Sequence, residues 1–168
     1  MTRVAGVGTA TTNYLHKLLA SSTGLASGLA EVTQGEHLNL AVIGPQQILM
    51  QNVAFDVVER GSGTRYPAVY VYCDRVTNTM REKFRTFSGK ARMVVEIRVS
   101  HDRLEGLEKQ LQVYADAAVR VLDNHRGDWG GGMYYAGGYE ITFGAVKRGG
   151  KNYIQAAKVE FEVEGSIR

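Results

Sequence analysis

The stretch from Tyr66 to Glu164 constrains this chain most, because its hydrophobic period switches from strand-like to helical and back in one fixed order. It opens with residues 67–73, a β-branched and aromatic run that suits a buried strand. In residues 93–99, Met93, Val95, Ile97 and Val99 alternate with Val94, Glu96 and Arg98, which predicts a strand with one dry and one largely wet face. Asp102, followed three residues on by Glu105, has the form of a capping box and predicts a helix start. Leu104, Leu107, Leu111, Ala115, Ala118 and Leu122 then form one apolar face at helical period, with Tyr114 beside it, and Gly127 supplies the stop. A helix of about 24 residues would be about 36 Å long, enough to cross a sheet. After the Gly-rich GDWGGGMYYAGG come YEITFGAV, a tight KRGGKN loop and a strand in which Ala157, Val159, Phe161 and Val163 alternate with Lys158, Glu160, Glu162 and Glu164. The Gly149-Gly150 pair is a hairpin signal. Alternating strands with few helices point to an α+β fold: an antiparallel β-sheet with the long helix and one or two short N-terminal helices on one face.

The first third of the chain is less regular. Residues 1–12 are small and polar and read as a mobile arm. Their GVGTAT segment, residues 6–11, is a partial glycine fingerprint without the preceding strand that a phosphate loop needs. Asn13 is placed to cap a short helix with Leu15, Leu18 and Leu19 on one face. Leu25 and Leu29 share their spacing with Gly24 and Gly28, giving a weak second helix whose small residues allow close approach to a neighbour. Residues 37–43 and 52–58 read as short strands, and residues 59–66 as a turn-rich connection.

The 168 residues suit one α+β domain that buries roughly 70% of its unfolded surface without disulfides. The lone Cys73 lies in an apolar strand and reads as an inert packing thiol, so a reducing cytoplasm is expected. No secretory signal and no bilayer-length apolar run are found, which points to a soluble protein with no membrane role. The net charge of +3 is uneven. Residues 74–92 hold six basic residues (Arg75, Arg81, Lys83, Arg85, Lys90, Arg92) against two acidic ones, Asp74 and Glu82.

That segment reads as an extended basic arm, residues 74–91, joining two strands; joins of such length are usually functional or disordered. Phe84 and Phe87 interleave with Arg81, Lys83 and Arg85, a pattern that suits contact with another subunit or partner, or phosphate contact and stacking on nucleic acid. The arm has little of its own to bury, so neighbours are expected to order it. Trp129, Tyr134 and Tyr135 on the Gly-rich loop read as interface anchors, with Met133 beside them. Arg75, Lys90, Lys147, Arg148 and Lys151 are candidates for facing DNA. His16, His37, His101 and His125 match no zinc spacing, so no metal and no cofactor are expected. Asp123, His125 and Asp128 form a carboxylate–histidine cluster, but on a glycine-rich loop that is a poor platform for fixed geometry, and no catalytic residue is assigned.

YPAVYVY at 66–72, MVVEIRVSHDRLEGLEKQLQVYADAAVRVL at 93–122 and YEITFGAVKRGGKNYIQAAKVEFEVE at 139–164, in that order, resemble the tail terminator proteins of tailed bacteriophages. The resemblance is strongest from residue 66 onward and looser before residue 50. It implies a structural virion protein and not an enzyme: a ring, usually a hexamer, that caps the tail tube at the neck. The implied partners are further copies of the chain, the tail tube protein, a head connector or stopper protein, a sheath protein where the tail has one, and DNA passing transiently through the lumen. A head-completion or neck connector protein of the same particle, and a single-strand nucleic-acid-binding protein, remain as alternatives. The long Gly-rich loop and the N-terminal arm depart from the plainest form of the pattern.

Overall fold

A computed structural model describes residues 6–54 and 63–168. Three long strands carry the sheet: β2 (Ala68–Asn78), β3 (Phe87–His101) and β8 (Asn152–Ile167). β3 is central and antiparallel to both neighbours, so that Val95 lies between Val71 and Val159, and Ile97 between Val69 and Ala157. A short β1 (Ile48–Leu49) joins the outer side of β2 in parallel. β8 is long enough to take partners in succession along its other edge: β7 (Lys147–Gly149), β6 (Glu140–Phe143) and β5 (Met133–Tyr135), with β4 (Gly127–Gly130) beyond β5. The fold is therefore α+β, with an eight-stranded, mainly antiparallel sheet.

Among the described residues, three α-helices cover the face that carries Val71, Met93, Val95, Ile97, Val159 and Phe161: α1 (Gly6–Ala20), α2 (Leu25–Val32) and α3 (Leu107–Asp123). The apolar stripe of α3 buries Leu107, Leu111, Ala115, Ala118 and Leu122, with Tyr114 beside it, as periodicity indicated. α2 crosses α3 closely: a Cβ on Gly28 would sit 2.7 Å from the Ala117 carbonyl oxygen, which is why a small residue stands there.

α3 starts at Leu107 and has 17 residues, about 26 Å of helix. Asp102 does not cap it; its carboxylate lies 3.2 Å from His101 Nδ1, Gly106 turns the chain at φ 80°, and Leu104 is exposed. Residues 1–5 of the expected arm lie outside the described residues; residues 6–12 belong to α1, and Asn13 lies inside that helix instead of capping it. GVGTAT is thus neither a phosphate loop nor a mobile segment: the Thr11 and Thr12 hydroxyls donate to the Val7 and Gly8 carbonyls, both at 2.8 Å, and Gly8 lies against Cys73. Burial pushes the Cys73 thiol up, so it stays protonated as packing. Residues 37–43 form no strand; they cross α3 irregularly, fixed by the Tyr114 hydroxyl, which donates to the Ala41 carbonyl at 2.6 Å. Residues 52–54 are likewise irregular, and the remainder of the strand expected at 52–58 lies outside the described residues, as does much of the 59–66 turn.

The second face of β3 is not wet along its whole length. Arg98, 1% exposed, lies 3.2 Å from Glu96, sits 4.3 Å over the Tyr70 ring and donates to the Val53 carbonyl. Tyr70, Tyr72 and Val94 are buried beside it, with Leu49, Val53 and Tyr66 packed on them. Burial first, and then Glu96, pushes the Tyr72 phenol up to about 12. Only the half toward the β2–β3 turn is a wet face, carrying Lys90, Arg92, Glu160, Glu162 and Glu164.

Gly28→Val is expected to destabilise the protein by about 2 kcal/mol through overpacking against α3. The same change at exposed Ala26 on the same helix should stay within about 0.5 kcal/mol. Chemical denaturation of the two variants checks this; equal effects would contradict the close crossing.

Candidate interaction surface

The segment read as an extended basic arm is mostly sheet. Pairing of β2 with β3 continues past a bulge between Cys73 and Arg75 as far as Asn78 opposite Gly89, which leaves only residues 79–86 as a turn. The basic residues hid the strand period, because on this wet stretch charged side chains alternate with small ones instead of large apolar ones. Arg75, Lys90 and Arg92 are therefore strand residues. Lys90 Nζ lies 2.6 Å from Glu162, and Arg92 reaches Glu160 at 3.0 Å.

Nor does the turn depend on neighbours for its order. Asn78 Oδ1 accepts the Met80 and Ser88 amides, and the Thr79 amide donates to the Ser88 carbonyl at 2.9 Å. The Thr86 amide donates to the Ile167 carbonyl at 2.8 Å, tying the turn to the end of β8. The Glu82 carboxylate accepts from the Ser166 hydroxyl and from Arg85 Nε, both at 2.9 Å. What this framework holds outward is apolar and basic. Phe84 is 98% exposed at φ 62°, Met80 is exposed at φ 49°, and Arg81 and Lys83 are exposed with no ion pair among the described residues.

The other sequence candidates divide between surface and core. Tyr134 is half exposed, opposite Glu164 on the wet face. Phe87, Trp129 and Tyr135, read as contact residues, are buried at 1%, 7% and 0% exposure and cannot be surface anchors. Trp129 stacks on Tyr14 at 4.8 Å, packs near Tyr135 and Phe161, and donates its indole N–H to the His125 carbonyl at 2.8 Å. The glycine-rich segment is not a free loop but β4 and β5, seated so close to β8 that a Cβ on Gly132 would lie 2.2 Å from the Ser166 carbonyl oxygen. Glycines required for close backbone approach look the same in sequence as glycines of a loop.

The Asp123–His125–Asp128 cluster is spent on local structure. Asp123 holds Arg126 at 2.6 Å, His125 Nδ1 donates to the Val121 carbonyl at 2.7 Å, and Asp128 accepts the Gly130 amide at 2.7 Å. Among the described residues, no group of three or more His, Cys, Asp or Glu side chains is arranged to hold a metal. Lys147, Arg148 and Lys151 stand at the β7–β8 turn, with Arg148 5.7 Å from the Tyr153 ring centre. They lie at the opposite end of β8 from the β2–β3 turn, about 50 Å away along 16 extended residues.

Two clefts had no clear signal in the sequence. One, of about 800 Å³, lies on the second sheet face between residues 52–54 and β6–β7, with Tyr72, Glu96, Arg98 and Lys158 on its floor. The other, of about 400 Å³, is bounded by Gly137, Tyr139 and Glu140 on one side and Arg92, Glu160 and Glu162 on the other. Both depend on β6 standing apart from β5 on the edge of β8, which residue spacing alone does not reveal. Compared with known proteins, the chain matches no family model and no curated protein.

The Glu82 carboxyl is held below its ordinary 4.5 by the Ser166 hydroxyl first and by Arg85 second. A depressed acid of this kind favours the docked turn above pH 4.5, and the support is lost as pH falls through the lower folded value. The Thr86 and Ser166 amide resonances should therefore report a transition centred below pH 4.5 in an NMR titration. A transition at or above that pH would show that Glu82 does not hold the turn.

Proposed function

We propose that this chain is a tail terminator subunit: a structural protein that forms a ring, capping a phage tail tube at the neck and joining it to the head connector. The observation that carries the reading is the ordered β2–β3 turn with Phe84 fully exposed beside Arg81 and Lys83. A large apolar ring held in solvent by a hydrogen-bonded turn suits a surface that another protein covers. The order of strand, turn, strand, helix and closing hairpin supports the phage assignment through the resemblance of residues 66–164. No catalytic chemistry and no cofactor enter the proposal.

Within it, Arg81, Lys83, Phe84 and Tyr134 make subunit or partner contacts. Arg85 acts through Glu82 to shape the turn, and Phe87, Trp129 and Tyr135 brace that end of the sheet from within. The basic spots are too far apart along β8 to line one patch of a pore. The lumen role is therefore assigned to Lys147, Arg148 and Lys151 alone, leaving Arg75 and Lys90 on the sheet face. Their hold on DNA must be weak, since the DNA slides. A second reading, single-strand nucleic-acid binding, is favoured by the same exposed Phe84 between basic residues, which fits base stacking.

Mass measured across a concentration range, with negative-stain images, tests the proposal. A six-fold ring with an open centre, or capping of added tail tubes by a subunit that is monomeric alone, is the expected result. A compact dimer that leaves tubes uncapped would overturn it. Tight binding to single-stranded DNA that falls steeply with salt would support the second reading instead.

A further inference from the structure

We propose that the β2–β3 turn of one copy docks into the cleft that residues 137–140 form beside β8 and Arg92 of a second copy, with Phe84 entering beside Tyr139 and the basic residues facing Glu140. The inference rests on the ring reading, for which it names the mating surfaces.

Complementarity within one chain carries the argument. The turn bears three cations and one carboxylate, and that carboxylate, Glu82, is taken up by Ser166 and Arg85. Arg81 and Lys83 thus face solvent with no carboxylate partner among the described residues. The cleft is the reverse. It is lined by three carboxylates, Glu140, Glu160 and Glu162, against one guanidinium, Arg92. Glu160 is matched by Arg92 and Glu162 by Lys90, while Glu140 makes no direct ion pair among the described residues and shares the influence of Arg92 with Glu160. The turn therefore keeps an excess of positive charge and the cleft a smaller excess of negative charge, and a contact between copies brings the two together.

Shape agrees with charge. The cleft holds about 400 Å³, room for an aromatic side chain, and its rim offers Tyr139, 43% exposed. Gly137 and Gly138 contribute no side chains to fill it. Where each copy gives its turn to one neighbour and its cleft to another, the contact is heterologous, and repeated copy to copy it closes a ring or extends as a filament.

Sedimentation equilibrium on the whole chain tests this with three variants. Arg81→Glu combined with Lys83→Glu, Glu140→Lys alone, and Phe84→Gly should each weaken self-association about tenfold or more. Phe84→Gly also removes a left-handed non-glycine residue, so its melting temperature should equal or exceed that of the parent. That result separates lost contact from lost folding. Joining the three charge reversals in one chain should recover most of the association, because both mating surfaces then change sign. A parent that stays monomeric at every concentration, turn variants that associate like the parent, or a combined variant no better than its components would each overturn the inference. So would loss of single-stranded DNA binding in the turn variants with self-association unchanged. Variants that assemble normally and still cap tubes refute this contact and spare the ring reading. Charge-rescued assembly that caps no tube does the opposite.

Discussion

The pairing of β3 with β8 is the constraint on which the rest of the molecule depends. All fifteen residues of β3, from Phe87 to His101, find partners on β8 without a slip. On the helix side this places Val95 against Val159 and Met93 against Phe161; on the other it sets Arg92 against Glu162 and Lys90 against Glu164. A slip of one residue would drive Lys158, Glu160, Glu162 and Glu164 into the core, so the register is strongly specified. Every other sheet element is placed by these two strands. β2 and β1 follow from β3, and β7, β6 and β5 occupy successive parts of β8.

On the far face, the buried Arg98–Glu96 pair works against that simplicity. Taking both charges out of water costs several kcal/mol per ion before their attraction is counted. Part of the cost is offset because Arg98 also lies over Tyr70 and donates to the Val53 carbonyl. An apolar pair of similar volume would fill the space as well, but it would offer nothing to a backbone carbonyl. The polar solution fixes where residues 48–54 cross the sheet, and so shapes the larger cleft above Tyr72 and Lys158.

The parts of the fold legible in the sequence are those where one period holds along a long element and one side is fully dry. β8, the dry side of β3 and the stripe of α3 satisfy that condition, whereas the close crossing at Gly28 was legible from residue size instead. The failures share a cause as well: local pattern is blind to a second covering layer. Glu96 and Arg98 read as solvent-facing because nothing in residues 93–99 shows that residues 52–54 lie beside them. Trp129 and Tyr135 read as loop aromatics because the glycines around them match both a loop and a closely packed strand. The Asp102–Glu105 box was overruled by Gly106, whose left-handed turn resets the helix start. The candidate surface was half legible. Arg81, Lys83 and Phe84 stand out by composition, whereas the cleft around Glu140 exists only once β6 and β5 share the edge of β8.

The turn at residues 79–86 resolves a conflict between order and exposure. Holding Phe84 in a left-handed conformation costs about 1 kcal/mol or more, and its exposed ring recovers nothing from burial within the subunit. A disordered arm would avoid that cost but would have to order eight residues on binding, at roughly 1 kcal/mol or more for each backbone unit fixed. Preorganisation moves most of this expense into folding, where the ladder and the Ser166–Glu82–Arg85 bonds absorb it, and leaves association with less to overcome. The turn is also tied at Thr86 to the carbonyl of Ile167, on the same strand that carries Glu160 and Glu162. One strand thus sets the relation between the two surfaces assigned to the contact. A closed ring needs that relation fixed, because the rotation from copy to copy decides whether the chain of contacts returns to its start or runs on as a filament.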